Sequence, residues 1–212
     1  MDKKQLMKLI SFFTMADGGV YRKSENGGAY FAMNMLTKHM DYILWVKEVL
    51  EEVTPAYVTD VAKPCKNPQT NLRTNMHPYF ETIRERVYVE NYKGLCPHAM
   101  KLLDWESLAI LYMADGSLYV TPAGTKSGLI NDSPNVTLNM KRLSYGDQLF
   151  LKKRLKEEFD LEWNICKGRT SGKTFWSLRL RNKDVKKFME GVLPHMKPSF
   201  IHKVFDSERK AP

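Results

Sequence analysis

Apolar and polar positions along this chain fall into two series that share one order. In the first, a near-continuous apolar run predicts a helix over about residues 3–15. A ribbon follows, using 20–23 and 30–36 about a Gly27-Gly28 turn. A longer helix spans about 39–52, where Met40, Ile43, Leu44 and Leu50 are spaced for one buried face. A second ribbon uses 56–62 and 69–76, joined through Lys63-Pro64 and Asn67-Pro68, and a short helix at 79–86 leads into 87–94. The second series repeats the order. A helix over 105–114 precedes a ribbon of 118–121 and 136–142. A helix over 145–159 carries Leu149, Leu151, Leu155 and Phe159, then come a ribbon of 161–166 and 174–181 and a helix over 183–191.

The pattern places the chain in the α+β class, as two pseudo-symmetric αββαββα halves with antiparallel sheets. Local echoes support duplication. Ala32-Met33-Asn34-Met35 parallels Thr137-Leu138-Asn139-Met140, and Pro97-His98 parallels Pro194-His195. Asp17 to Asn34 is 17 residues and Asp115 to Asn139 is 24, so the second half carries about seven extra residues in its first turn. The linker lies within 95–104, which holds Pro97 and lacks a clear period. The halves are therefore taken as 1–96 and 97–212.

Both leading helices end in Met-Ala-Asp-Gly, at Met15 to Gly18 and at Met113 to Gly116. An Asp in the last turn of a helix is repelled by the negative end of the helix dipole unless a cation sits nearby. Gly18 can take the left-handed conformation that closes a helix. Ala16 and Ala114 are small enough for two helices to pack closely side by side, which would bring Asp17 and Asp115 to one end within metal-bridging reach. Two carboxylates with phosphate oxygens suit Mg²⁺, which prefers oxygen ligands and keeps several waters. A metal pair can orient a water and stabilise a leaving oxygen.

On these residues the chain resembles the LAGLIDADG homing endonucleases. Residues 108–116 resemble the motif, and residues 10–18 resemble it more loosely. The third-position Gly is replaced by Phe12 and Ile110, and the earlier Asp by Met15 and Met113. The resemblance implies a monomer whose motif helices form a central interface, with its curved antiparallel sheets forming a DNA-binding saddle. It further implies hydrolysis of both strands of a long non-palindromic site with short 3′ overhangs. Two or more divalent ions, expected as Mg²⁺, would be held by Asp17 and Asp115 with backbone oxygens of Gly18 and Gly116. One basic residue per half is also implied, and by position Lys93 and Lys173 fit.

The charge agrees. Lys and Arg number 33 against 24 Asp and Glu, a formal balance of +9, which suits an anionic polymer. The three cysteines, Cys65, Cys96 and Cys166, form no CxxC or CxxH pair, so neither a zinc knuckle nor a disulfide framework is indicated. Without a membrane-length apolar run or a signal peptide at Met1-Asp2-Lys3-Lys4, an intracellular setting is expected, in an organelle or a bacterial or phage host.

The ribbons supply the candidate DNA contacts. Gln69, Asn71, Arg73 and Asn75 alternate with Thr70, Leu72, Thr74 and Met76. Ser177, Arg179 and Arg181 alternate with Trp176, Leu178 and Leu180. Such alternation gives each strand one core face and one polar face. The forked groups of Gln, Asn and Arg can read base edges in the major groove. Tyr21, Arg22 and Lys23 in the first ribbon, with Asn139 and Lys141 in its counterpart, complete the set. The rival reading is a non-cleaving binder on the same scaffold, either a regulator or a splicing maturase with intron RNA as partner. Loss of one Asp would have favoured it, and neither is lost.

Overall fold

The computed structural model describes residues 1–24, 27–61, 67–124 and 130–204. The connections expected through Lys63-Pro64 and in the middle of the second half's first ribbon, and the tail from Ser207, lie outside the described residues.

Helix α1 (Lys3–Met15) starts at Asp2, whose side chain accepts from the Gln5 amide at 2.8 Å. It runs directly into β1 (Gly18–Arg22), which pairs with β2 (Ala29–Leu36). A 3₁₀ turn over Thr37–His39 leads to α2 (Met40–Glu51), then β3 (Ala56–Asp60) and β4 (Gln69–Thr74). Helix α3 (Pro78–Val87) is followed by a small hairpin, β5 (Tyr88–Val89) and β6 (Tyr92–Lys93), and by the single turn α4 (Pro97–Met100).

The second half repeats the plan. Helix α5 (Trp105–Asp115) is capped by Asp104, which accepts from the Ser107 amide at 2.9 Å. Strands β7 (Gly116–Gly124) and β8 (Ile130–Leu138) precede α6 (Tyr145–Phe159). The α6 capping box pairs Ser144 reciprocally with Asp147. Strands β9 (Trp163–Thr170) and β10 (Lys173–Leu180) lead to α7 (Val185–Val192) and a 3₁₀ segment over Pro198–Lys203.

Both halves carry an open four-stranded antiparallel sheet with matching order, β1-β2-β4-β3 and β7-β8-β10-β9. The chain divides into two compact units, residues 1–103 with 197–199, and 104–196 with the remainder. The division falls beyond Pro97, after α4. In the first unit, Phe12, Phe13, Val20, Phe31, Ile43, Leu72 and Phe80 are fully buried, and Phe13 meets Trp45 edge-on at 5.0 Å. In the second, Val136, Leu138, Leu155 and Leu178 are buried, and Phe188 meets Tyr112 and Trp163 edge-on. Helix α5 is buried on all sides from Ser107 to Met113, as its uninterrupted apolar run requires.

Two expectations change. Gly18 does not close α1 in a left-handed conformation; among the described residues the one glycine with positive φ is Gly172. Gly18 opens β1, and Gly116 opens β7 with φ −81° and ψ 149°. Glycine is required because there is no space. A Cβ on Gly18 would collide with the Phe31 ring and lie 2.8 Å from the Phe13 carbonyl oxygen, and one on Gly116 would collide with the Tyr112 ring and carbonyl. The strand expected over 136–142 ends earlier, at Leu138. There the Asn139 amide donates to the Asp115 carbonyl at 2.7 Å, and Leu143 N closes a turn on Met140 O at 3.0 Å, so Lys141 and Arg142 lie in a connection.

Gly116→Ala should therefore lower stability by roughly 1–3 kcal/mol through overpacking. Gly146→Ala, where a Cβ meets only Ser144 Oγ at 3.7 Å, should be neutral or stabilising by up to ~1 kcal/mol. Urea unfolding of both variants checks this, and the two sharing one midpoint would contradict the close-packing account.

Candidate nucleic-acid interface and carboxylate sites

Each sheet has one face against its helices and one face open, and strand register decides which residues reach the open face. In the first half, Tyr21 pairs with Tyr30, Asn34 with Asn71, Ala32 with Arg73, and Arg73 with Tyr57. These residues share one face, while Val20, Phe31, Met33 and Leu72 are buried on the other. A hollow of about 380 Å³ beside Asp17 is lined by Tyr21, Tyr30, Asn34 and Asn71. The Arg73 guanidinium lies 4.1 Å over the Tyr30 ring, whose centroid is 5.9 Å from that of Tyr21. Gln69 shares the parity of Asn71, and Asn75, just beyond β4, donates to Tyr57 Oη at 3.4 Å. Tyr30 was not anticipated, although period two from Asn34 through Ala32 points to it.

Arg22 departs from its expected role. It pairs with Ala29, one step out of phase with Tyr21, and binds Glu81 of α3 at 2.8 and 2.6 Å. That contact raises its pKa, chiefly through the hydrogen bond and then the charge of Glu81. Parity thus turns Arg22 toward the helices. Lys23 is exposed in the bend after β1.

The second open face is more self-contained. Ser117 pairs with Thr137 and Thr137 with Arg179, while Ser177 pairs with Cys166. Ser117 Oγ and Thr137 Oγ1 are 2.7 Å apart, and Asn139 Nδ2 donates to both, at 3.0 and 3.1 Å. Arg179 donates to Asn135 Oδ1, Lys141 lies 4.6 Å over the Phe175 ring, and Arg181 is exposed just past the end of β10.

Asp17 follows α1 and is exposed, whereas Asp115 is the last residue of α5 and is 24% exposed. Burial, with the charge of Asp17 added, pushes the Tyr42 phenol well above its ordinary range. Lys93 Nζ donates to the carbonyl oxygens of Ala16 at 2.7 Å and Gly18 at 2.9 Å, on either side of Asp17. The small hairpin holds it there. Glu90 and Asn91 turn with positive φ, Arg84 binds Asn91 Oδ1 and the Val20 carbonyl, and Tyr88 Oη accepts from the Val20 amide. The Gly18 oxygen, expected as a metal ligand, thus holds an ammonium, while its second lone pair leaves it further capacity.

Lys173 lies elsewhere. Gly116 pairs with Leu138 and Leu138 with Leu178, and Lys173 is five residues from Leu178 on β10. That distance is roughly 17 Å along the strand. In the second half the lysine on the motif helix is Lys203, whose Nζ donates to Met113 O at 2.7 Å and Tyr112 O at 3.5 Å, two and three residues before Asp115 and not on either side of it. Tyr112 Oη, its pKa raised by burial, donates back to the Lys203 carbonyl at 2.6 Å. Arg142 Nη1 contacts Asp115 Oδ2 at 2.8 Å and supplies the cation that a carboxylate at a helix C-terminus calls for. Neither Lys203 nor Arg142 has a sequence signal, since both act across chain distances that no local period encodes.

The sequence pattern of the LAGLIDADG DNA endonuclease family matches residues 13–188. The chain belongs to this family. It is 25% identical over 202 residues to Protein RecA of Mycolicibacterium flavescens, covering 94% of this chain and 46% of that protein. The chain thus spans less than half the length of such curated relatives. Among solved structures it resembles the homing endonuclease I-WcaI bound to its DNA recognition sequence. The TM-score is 0.72 at 20% identity, covering 96% of this chain and 87% of that one. It also resembles I-DmoI in complex with DNA and Ca, with a TM-score of 0.53 at 14% identity, covering 90% of each chain. These likenesses establish the fold of the two halves. No helix among the described residues is long and apolar enough to cross a membrane.

If the stacked Tyr30 ring aims Arg73 at a base, Tyr30→Leu should relax base preference at one position by about two- to fivefold, while Tyr30→Phe keeps it. A profile of tolerated base changes measures this. Equal profiles for the wild type and Tyr30→Leu would remove Tyr30 from readout.

Proposed function

We propose that this chain cuts both strands of a long, non-palindromic DNA site as a monomer, with Asp17 serving one strand and Asp115 the other. The observation that carries the reading is the repeated placement of a carboxylate where a motif helix enters an open sheet, with a lysine donating to backbone carbonyls of each motif segment, Ala16 and Gly18 in the first half and Tyr112 and Met113 in the second. The retention of both carboxylates favours cleavage over a non-cleaving maturase or regulator.

The donor set fits a hard cation. Each half offers a carboxylate beside backbone oxygens. Among the described residues no group of three or more His, Cys, Asp or Glu could form a protein cage. An ion there depends on water and phosphate oxygens for most of its shell, as Mg²⁺ does. When bound, two or more such ions would supply an activated water and charge stabilisation on the phosphate. Asp17 and Asp115 would orient them, with the carbonyls of Gly18 and Gly116 alongside. Lys93 and Lys203 place positive charge at the ends of the motif helices, where an anion develops on phosphodiester attack.

The open faces would read the DNA. Gln69, Asn71, Arg73 and Asn75 in one half differ from Arg179 and Arg181 in the other, where Ser177 is buried, so the half-sites should differ too. A homodimer would instead favour a palindrome.

Selecting cleaved sequences from a randomised duplex library with Mg²⁺ tests the reading. Asp17→Asn and Asp115→Asn should each abolish double-strand cleavage while DNA binding persists, and undiminished cutting would refute the assignment. Lys93→Met and Lys203→Met should each slow one strand by about 10²–10³ and leave nicked intermediates, whereas Lys173→Met should cut both strands at the wild-type rate. Strand-labelled time courses separate these cases.

Affinity should fall roughly 10³–10⁵ between 50 and 200 mM salt if ~6–10 phosphates are contacted. A salt-insensitive complex would count against a backbone-tracking interface.

A further inference from the structure

The carboxylate of the second motif is held in an ion pair. Arg142 and Asp115 form a contact of 2.8 Å that solvent reaches, with side chains 28% and 24% exposed. Met33 and Leu138, which face the two motif glycines, stand 105 residues apart, as do Met40 and Tyr145, which open α2 and α6. By that spacing the position of Arg142 in the first half is Thr37, a neutral side chain whose hydroxyl is 2.9 Å from Thr70 Oγ1. At this position the second half carries a guanidinium and the first does not.

A guanidinium and a divalent cation compete for the same carboxylate oxygens. A phosphate can draw the guanidinium off, because its oxygens match the planar fork in paired hydrogen bonds. Arg142 also sits in the connection between β8 and α6, outside any ladder, on a long side chain able to change partner.

We propose that Arg142 is a latch on the second carboxylate. Without DNA its guanidinium occupies Asp115. A DNA phosphate draws the guanidinium off, and the carboxylate becomes available to a divalent cation. DNA and cation then bind the second half cooperatively, each raising the affinity of the other by one factor. The inference rests on Asp115 being a metal ligand, as proposed above.

Mn²⁺ binding by the intact chain, followed through the electron paramagnetic resonance of the free ion, tests it. An Asp17→Asn background isolates the second half. The Asp115-dependent ion is the difference made by adding Asp115→Asn. Without DNA, Arg142→Gln should tighten that ion by about three- to tenfold. With the selected duplex present, the protein retaining Arg142 should gain a similar factor. An Asp115-dependent ion of equal affinity with and without Arg142 overturns the latch, and so does one that DNA leaves unchanged. If no Asp115-dependent ion is found even with Arg142→Gln, with or without DNA, the metal-ligand reading itself fails, which is a separate result. Thermal unfolding confirms that the variants are folded, and should Arg142→Gln fail to fold, Arg142→Lys provides the same comparison without the fork.

Discussion

At the end of each motif helix the backbone leaves helix for strand beside a glycine that has no space for a side chain. Gly18 is packed against Phe31 and the Phe13 carbonyl, and Gly116 against Tyr112. This close approach fixes everything downstream. It places the preceding carboxylate at the origin of the first strand, sets that strand's phase, and thereby decides which side chains reach the open face. The Asp-Gly pair is thus a structural corner first, and its chemistry follows from where the corner puts the carboxylate.

Such a corner concentrates negative charge. The last carbonyls of the helix and the Asp side chain point into one small region, and each half supplies cations in answer. Lys93 arrives on a hairpin strapped to β1 through Arg84 and Tyr88. Lys203 arrives on a 3₁₀ segment near the end of the described chain. The two units therefore meet one electrostatic demand with different elements, although their sheets share one strand order.

Element order, both motif helices and the two-fold plan were legible because they rest on periods of 3.6 and 2, which short stretches of sequence display. Helix α6, expected over 145–159, has those bounds. The open-face assignment of Asn71 and Arg73 also followed from alternation. Arg22 did not, because a single residue of phase separates the two faces; its inward parity was marked only by Val20, two residues earlier. Strand β8 ended early because the Asn139 amide turns to the Asp115 carbonyl, an interaction between residues distant in sequence. The same limit hid Lys203 and Arg142, whose partners lie 90 and 27 residues away.

The path of the chain after α7 bears on how such a protein can be divided. Residues 197–199 belong to the first unit, where Lys197 covers the Trp45 ring at 4.1 Å, the Ser199 amide donates to Asp41, and the Ser199 hydroxyl meets His39 Nδ1 at 3.0 Å. The residues that follow serve the second unit through Lys203. A cut at residue 103 therefore yields no two self-sufficient pieces. The first would lose the segment that caps its α2, and the second would carry that segment with nothing to cap. Whatever independence the ancestral units had, the present chain has exchanged it for a stitched ending, and exchange of halves between relatives would have to carry this segment along with the unit it covers.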